Sequence, residues 1–274
     1  MSRFLEFLKK HPIVTAILAI ALSLASLRLI HPDSFWGHAV HRMLLSGTMV
    51  FFLYLISGER TLDKCGNSTG YVINAAIAFW ILALPLGALA LVNGLSAGTV
   101  AEKWPLQLLS VFVLMIFVGL FEELTFRAII NDAVMRRFGD RKSVFVISAL
   151  ACSLIFGAVH VLGADLSTPI AWLQAAGKTV STAIFGLALL LLYWKTRNVW
   201  ACGIVHGVYD FILSISDGVV AGAALRPQYV LDGNAAVAVC IVYAVDAVIN
   251  ALIVWGIWRK IGKNMDFQEI SENW

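Results

Sequence analysis

Apolar runs, each about the length of one bilayer crossing, alternate along the chain with short stretches carrying Lys, Arg, Pro and Gly. A transmembrane helix needs about 20 mainly apolar residues. Stretches that qualify fall at residues 13–30, 40–57, 71–92, 106–130, 143–162, 179–194, 198–216 and 234–258. The pattern predicts an all-α polytopic membrane protein, a bundle of about eight transmembrane helices. No soluble stretch is long enough for a second domain, and no internal repeat stands out. Residues 1–274 are therefore read as a single integral membrane domain, with the chemistry-bearing motifs confined to residues 118–215.

Composition agrees with this pattern. The chain is 60% hydrophobic and 14% charged, with a mean hydropathy of +0.84, whereas a soluble domain averages about 45–50% apolar and about 25% charged residues. The formal net charge of +3 comes from short basic clusters between apolar runs. A nucleic-acid surface needs a basic stripe or domain, so no nucleic-acid partner is expected, and the lipid bilayer is the first partner. Cys152, Cys202 and Cys240 fall inside apolar runs and Cys65 in a polar loop, without CxxC spacing. Neither a disulfide framework nor a cysteine zinc site follows.

Lys and Arg bias in short loops sets orientation. With the N-terminus inside, 14 Lys and Arg residues fall on the cytoplasmic side and five (Arg28, Arg42, Lys103, Lys178 and Arg226) on the other, leaving Arg127 as the basic residue within the membrane. Both termini are expected in the cytoplasm. The lead "MSRFLEFLKK" resembles an interfacial amphipathic segment meeting anionic lipid. A signal-peptide reading of the first span fits less well, because the span is long for an h-region and its loss would leave an odd number of helices.

A charge at bilayer depth is costly, so ionisable residues there are functional candidates. Those inside the runs are Glu122, Glu123 and Arg127 on the fourth, His160 on the fifth, His206 and Asp210 on the seventh and Asp246 on the eighth. Helical residues four apart share a face and adjacent ones diverge by about 100°. Glu123 is thus placed to pair with Arg127, while Glu122 points elsewhere and is left as a spare acid suited to general-base work. "HGVYD" puts His206 and Asp210 on one face, and "FGAVH" does the same for Phe156 and His160. Small residues in "SALACS", "FGA" and "ACGIVHG" permit the close helix approach that a shared polar centre requires. Counted from the expected inner helix ends, Glu122, His206 and Asp210 bracket the midplane and His160 lies farther out.

These residues spell EExxxR, FxxxH and HxxxD in order, in "EELTFR", "FGAVH" and "HGVYD". The pattern resembles the CAAX-protease and bacteriocin-processing (CPBP) family of intramembrane proteases, over roughly residues 100–215. The resemblance implies a glutamic endopeptidase that uses no metal or other cofactor. Glu122 and His160 would activate the attacking water, His206 with Asp210 would stabilise the oxyanion, and Glu123, Arg127 and Phe156 would support them. The family's last motif position is Asn or Asp, and this chain has Asp210. An ionised Asp cannot donate a hydrogen bond to an oxyanion, so Asp210 must be protonated or must instead orient His206.

Two histidines with carboxylates would also suit a zinc-dependent membrane metalloprotease, although HExxH is absent and the ligands would have to converge from three helices. A non-catalytic bacteriocin-immunity protein or scaffold, and a proton-relaying transporter, are the readings from other classes. His38 and His41, in "HAVHR", have metal-like spacing but read as interfacial polar residues, and Asp246 reads as a helix contact with Asn or Ser. The substrate implied is a membrane-associated peptide or protein. The short polar loops suggest a bacterial inner-membrane protein, for which a prenylated substrate is the less expected choice.

Overall fold

The computed structural model describes residues 3–59, 68–139, 141–223, 228–233 and 235–261. Arg60, Lys64, Cys65, Arg226 and Lys263, assigned to loops by sequence, lie outside the described residues, as do the first two residues of the amphipathic lead. The described residues form helices α1 (Arg3–Lys10), α2 (Pro12–Leu29), α3 (Phe35–Ser57), α4 (Ser68–Ala97) and α5 (Trp104–Glu122), a π-helical turn (Glu123–Ile129), then α6 (Ile130–Phe138), α7 (Lys142–Val159), α8 (Pro169–Thr196), α9 (Val199–Leu213), α10 (Ile215–Val219) and α11 (Ala235–Ile261). Seven of these segments, counting Trp104–Phe138 as one, are long and apolar enough to cross a membrane. Val199–Leu213 is a shorter apolar helix. The protein is a polytopic all-helical membrane protein.

Local chemistry marks several boundaries. Pro12 opens α2 at a position where its missing N–H costs nothing, and the Thr15 hydroxyl donates to the Leu8 and His11 carbonyls, tying α1 to α2. Ser34 caps α3 by accepting from the Gly37 amide. Thr168 caps α8 immediately before Pro169. Arg197 ends α8 in the left-handed region, and Asn198 then caps α9. The outward side of α11 is lined by Val237, Ile241, Val245, Val248, Leu252 and Trp255, all exposed. Such a stripe is stable facing acyl chains rather than water.

Two expected boundaries move in ways that matter. The run expected to stop at residue 130 continues through the π turn to Phe138. It carries Asn131 and Asp132 into the interior instead of into a loop, both essentially unexposed. The run expected to begin at residue 179 begins at Pro169. Lys178 therefore lies nine residues inside α8, about 14 Å from its start at 1.5 Å per residue, and is not an outer-loop charge.

Arg197, expected in a cytoplasmic loop, is likewise buried and faces Asp132 at 3.4 Å. Lys178 and Arg197 thus join Arg127 as basic residues within the helical body. Asp132 also accepts from Ser57 at 2.6 Å, from Tyr193 at 3.1 Å and from Asn131 at 3.2 Å. Asn131 in turn accepts from Ser148 at 2.8 Å and Trp194 at 2.7 Å. This network joins α3, α6, α7 and α8 at one end of the bundle, where hydrogen bonds to every partner make buried polarity tolerable.

At the opposite end, Val100 and Val220 form an isolated bridge, with Ala101 N–H donating to Val219 and Ala221 N–H to Thr99. Gln107 reaches the Asp217 and Val220 carbonyls at 2.6 and 3.1 Å. These contacts hold the α4–α5 connection against the stretch after α10.

Candidate active site

Glycine contacts create the centre. A Cβ on Gly119 of α5 would overlap the Gly203 carbonyl and the Gly207 amide nitrogen of α9, and one on Gly207 would overlap the backbone of Met115 and Ile116. The two helix backbones are therefore in contact. The small residues noted in "ACGIVHG" serve this approach, which brings Glu122 and Glu123 against His206.

Glu123 is fully buried, and His206 nearly so. The His206 Nδ1–H donates to Glu123 Oε1 at 2.8 Å. The other oxygen, Glu123 Oε2, lies 3.2 Å from Arg127 Nε, an i,i+4 ion pair lacking hydrogen-bond alignment. The expected Glu123–Arg127 pairing thus holds, and Glu123 has a second partner that sequence reasoning missed. On the other edge of the same imidazole, Nε2 lies 3.6 Å from Glu122 Oε2 and 3.4 Å from Asp210 Oδ2. Glu122 and Asp210 keep 17% and 26% of their side chains exposed, against none for Glu123. Adjacent glutamates diverge around a helix, and here that divergence sets one at each nitrogen of a single histidine.

Arg127 lies on an aromatic shelf. Its Cζ is 3.7 Å from the Phe156 ring centroid, and a Cβ at Gly186 would fall 2.8 Å from both Arg127 Nη2 and Phe156 Cδ1. The guanidinium is held between a ring face and a glycine of α8, and cation–π attraction supplies part of what water would have given it. The Phe156 ring also meets His160 edge-on at 4.8 Å and His206 at 5.9 Å. Phe156 therefore places both histidines and Arg127 about one ring.

His160 caps α7, and its Nδ1–H donates to the Phe156 carbonyl at 2.7 Å. A carbonyl only accepts, so a neutral His160 carries its proton on Nδ1 and presents the Nε2 lone pair. Its expected depth mismatch with Glu122 disappears. With the helix continuing to Phe138, Glu122 lies 16 residues from that end, about 24 Å, and His160 lies 18 residues from Lys142, about 27 Å. The contact Glu122 makes within the cluster is to His206 rather than to His160.

Tyr229 and Leu231 lie on a stretch that packs beside this cluster. Leu231 exchanges two hydrogen bonds with the buried Gln174 side chain, at 2.8 and 2.9 Å, and Tyr243 OH donates to the Tyr229 carbonyl at 2.7 Å. Tyr229 thereby lies 5.7 Å from the His160 ring and 4.3 Å from Lys178 Nζ, measured between ring centroids and to the nitrogen. Sequence reasoning missed Lys178 because its charge looked like the end of an apolar run. The Thr168–Pro169 capping signal was the cue that the helix starts earlier.

Asp246 lies on α11 one turn before Asn250, which is buried. His41 Nε2 lies 2.8 Å from the Ser26 hydroxyl. Cys152 and Cys202 are buried thiols and Cys240 is half-buried. Among the described residues, no group of three or more His, Cys, Asp or Glu side chains is disposed as a metal site.

Fold and cluster together define a polytopic membrane protein with a buried carboxylate and histidine centre. Residues 104–212 match a family model described as Rce1-like, type II CAAX prenyl endopeptidase Rce1-like. The match runs from the first residue of α5 into the last turn of α9 and covers every residue of the three motifs. The matched segment, 109 of the 274 residues, is similar to that family of endopeptidases, consistent with the CPBP resemblance. No curated protein and no solved structure matches the chain.

Proposed function

We propose that this centre hydrolyses a peptide bond in a membrane-associated peptide or protein, with a glutamate as general base. The observation that carries the proposal is the unequal pair of carboxylates on His206: Glu123 sealed against Nδ1, and Glu122 partly open beside Nε2. A buried carboxylate that fixes an imidazole and a second, accessible one at the working edge divide orientation from chemistry.

In this mechanism, water held between Glu122 and His160 Nε2 loses a proton to Glu122 as its oxygen attacks the scissile carbonyl carbon. The oxyanion is taken by His206 Nε2–H. An imidazolium at that position has a carboxylate at each nitrogen, which makes it a donor held in place before the charge develops. Collapse breaks the C–N bond, and the proton held by Glu122 passes to the leaving amine. Glu123 orients His206, Arg127 and Phe156 hold Glu123, and Asp210 keeps the Nε2 edge polar. Because Glu123 already occupies Nδ1, Asp210 lies on the reacting side of the ring rather than behind it.

The chain is proposed to act as one integral domain in a bacterial inner membrane, with both termini in the cytoplasm. The experiment is purification in detergent and incubation with a fluorogenic peptide panel, beside Glu122→Gln. Cleavage by the parent protein and none by the variant is the expected result. Cleavage by neither points to a non-catalytic protein.

A further inference from the structure

His160 needs a support that its own helix does not give. It stands just past the end of α7, on a loose turn. The His160, Val161 and Leu162 amides donate to the Gly157, Ala158 and Val159 carbonyls at 3.3, 3.2 and 3.4 Å, three-residue bonds of poorer geometry than those of an α-helix. The Nδ1–H bond to Phe156 settles which ring nitrogen is free, but one bond lets the imidazole pivot about it. Two aromatic rings limit that pivot: Phe156 at 4.8 Å and Tyr229 at 5.7 Å between centroids. Phe156 belongs to the second motif, and Tyr229 to none.

Tyr229 is itself held from three sides. The Tyr243 hydroxyl donates to its carbonyl at 2.7 Å, and Lys178 Nζ, 4.3 Å from its ring centroid, adds cation–π attraction. Two residues on, the Leu231 amide donates to Gln174 Oε1 at 2.9 Å and the Leu231 carbonyl accepts from Gln174 Nε2 at 2.8 Å. Gln174 is wholly buried in α8, and a buried carboxamide is tolerated where both of its ends are bonded. Here both ends are spent on the main chain of one residue. A line of contacts thus runs from the interior of α8 through Leu231 and Tyr229 to the imidazole. Tyr229, Leu231 and Tyr243 all lie beyond the matched residues 104–212, so a segment outside the family match supplies one wall of the site.

We propose that Gln174 is a positioning residue for His160: its carboxamide clamps the Leu231 main chain and so sets the Tyr229 ring against the imidazole, holding the Nε2 lone pair where water is activated. This rests on the peptidase reading above. Proton transfer is sensitive to such support, since a displacement of about 1 Å caused far from the chemistry can cost about 100-fold in rate.

The test uses the full-length protein in detergent, the fluorogenic peptide panel, and diethyl pyrocarbonate, which acylates a free imidazole nitrogen and is read at His160 by peptide mass spectrometry. Gln174→Ala leaves the Leu231 amide and carbonyl without their partner. Its kcat should fall about 10-fold to 100-fold on every cleaved peptide, with KM little changed, and His160 should be acylated faster than in the parent protein. Gln174→Glu keeps the acceptor for the Leu231 amide and should fall between the two. Tyr229→Leu should repeat the loss, and Tyr229→Phe, which keeps the ring, should recover most of it. Thermal unfolding separates misfolding from lost positioning, and Tyr229→Leu carries the test if Gln174→Ala does not fold. The parent kcat in folded Gln174→Ala overturns the proposal, as does an unchanged rate of His160 acylation. A loss confined to KM and differing from peptide to peptide also overturns it, and would assign the stretch to substrate binding. If the parent protein cleaves nothing in the panel, the peptidase reading fails separately, and the acylation rates still decide whether Gln174 holds His160.

Discussion

Glu123 Oε1 accepts a 2.8 Å hydrogen bond from His206 Nδ1, while Oε2 of the same carboxylate faces Arg127 Nε at 3.2 Å. One buried charge thus links the arginine of the first motif to the histidine of the third, which lies 83 residues beyond Glu123 in sequence. The adjacent glutamate is free of that duty and sits at the opposite ring nitrogen, which makes the two experimentally separable.

Glu122→Gln preserves shape and removes the proposed base. Its kcat should fall at least about 100-fold, the lower bound for losing general-base catalysis, with the unfolding temperature unchanged. Peptide release and thermal unfolding in detergent, measured on the same preparation, check this. Appreciable residual turnover would remove Glu122 from the role of base.

Arg127→Ala strands Glu123 in the interior, and breaking a buried pair costs about 3–5 kcal/mol. Stability and activity should fall together. Glu123→Gln combined with Arg127→Met removes both charges and should regain much of the stability, but not the activity, because His206 loses its carboxylate. A double variant no more stable than Arg127→Ala would show that the pair is not coupled.

Gly203→Ala places a methyl group against the Leu120 backbone and side chain. Main chain cannot move aside as a flexible side chain does, so α5 and α9 must separate, drawing Glu122 and Glu123 from His206. The expected outcome is a loss of turnover much larger than the loss of stability. Turnover equal to that of the parent protein would mean that the helix contact does not set the site geometry.

Asp132→Ala provides the contrast. It leaves Arg197, Ser57 and Tyr193 short of an acceptor at the far end of the bundle, at a cost on the order of 3 kcal/mol for a broken buried pair. The fraction that remains folded should keep the parent kcat/KM. A selective loss of activity at full stability would show that the network belongs to catalysis.

Water activation by Glu122 and His160 predicts that turnover survives a strong chelator, and that dialysed protein holds no stoichiometric zinc. Elemental analysis near one zinc per chain, with activity lost on chelation and restored by the metal, would favour the metalloprotease reading instead.

The sequence by itself determined that the chain is a helical membrane protein, since helix length and hydropathy are local properties and bilayer thickness sets the scale they must meet. It also determined the faces: His206 with Asp210, Phe156 with His160 and Glu123 with Arg127 follow from the turn of a single helix. Only the tertiary structure decided which groups from different helices meet. That Glu123 serves His206 depends on the glycine contact of α5 and α9. That Arg127 can be buried depends on Phe156 and the missing side chain at Gly186. Lys178 and Arg197 were misread as loop charges, and Asp132 was passed over, because hydropathy counts a charge against a span without knowing its partners. Those partners, Tyr229 and Tyr243 for the lysine and Asp132 with Arg197 for each other, lie at least 50 residues away in the chain. Packing alone brings them within reach, and it alone makes a charge at that depth tolerable.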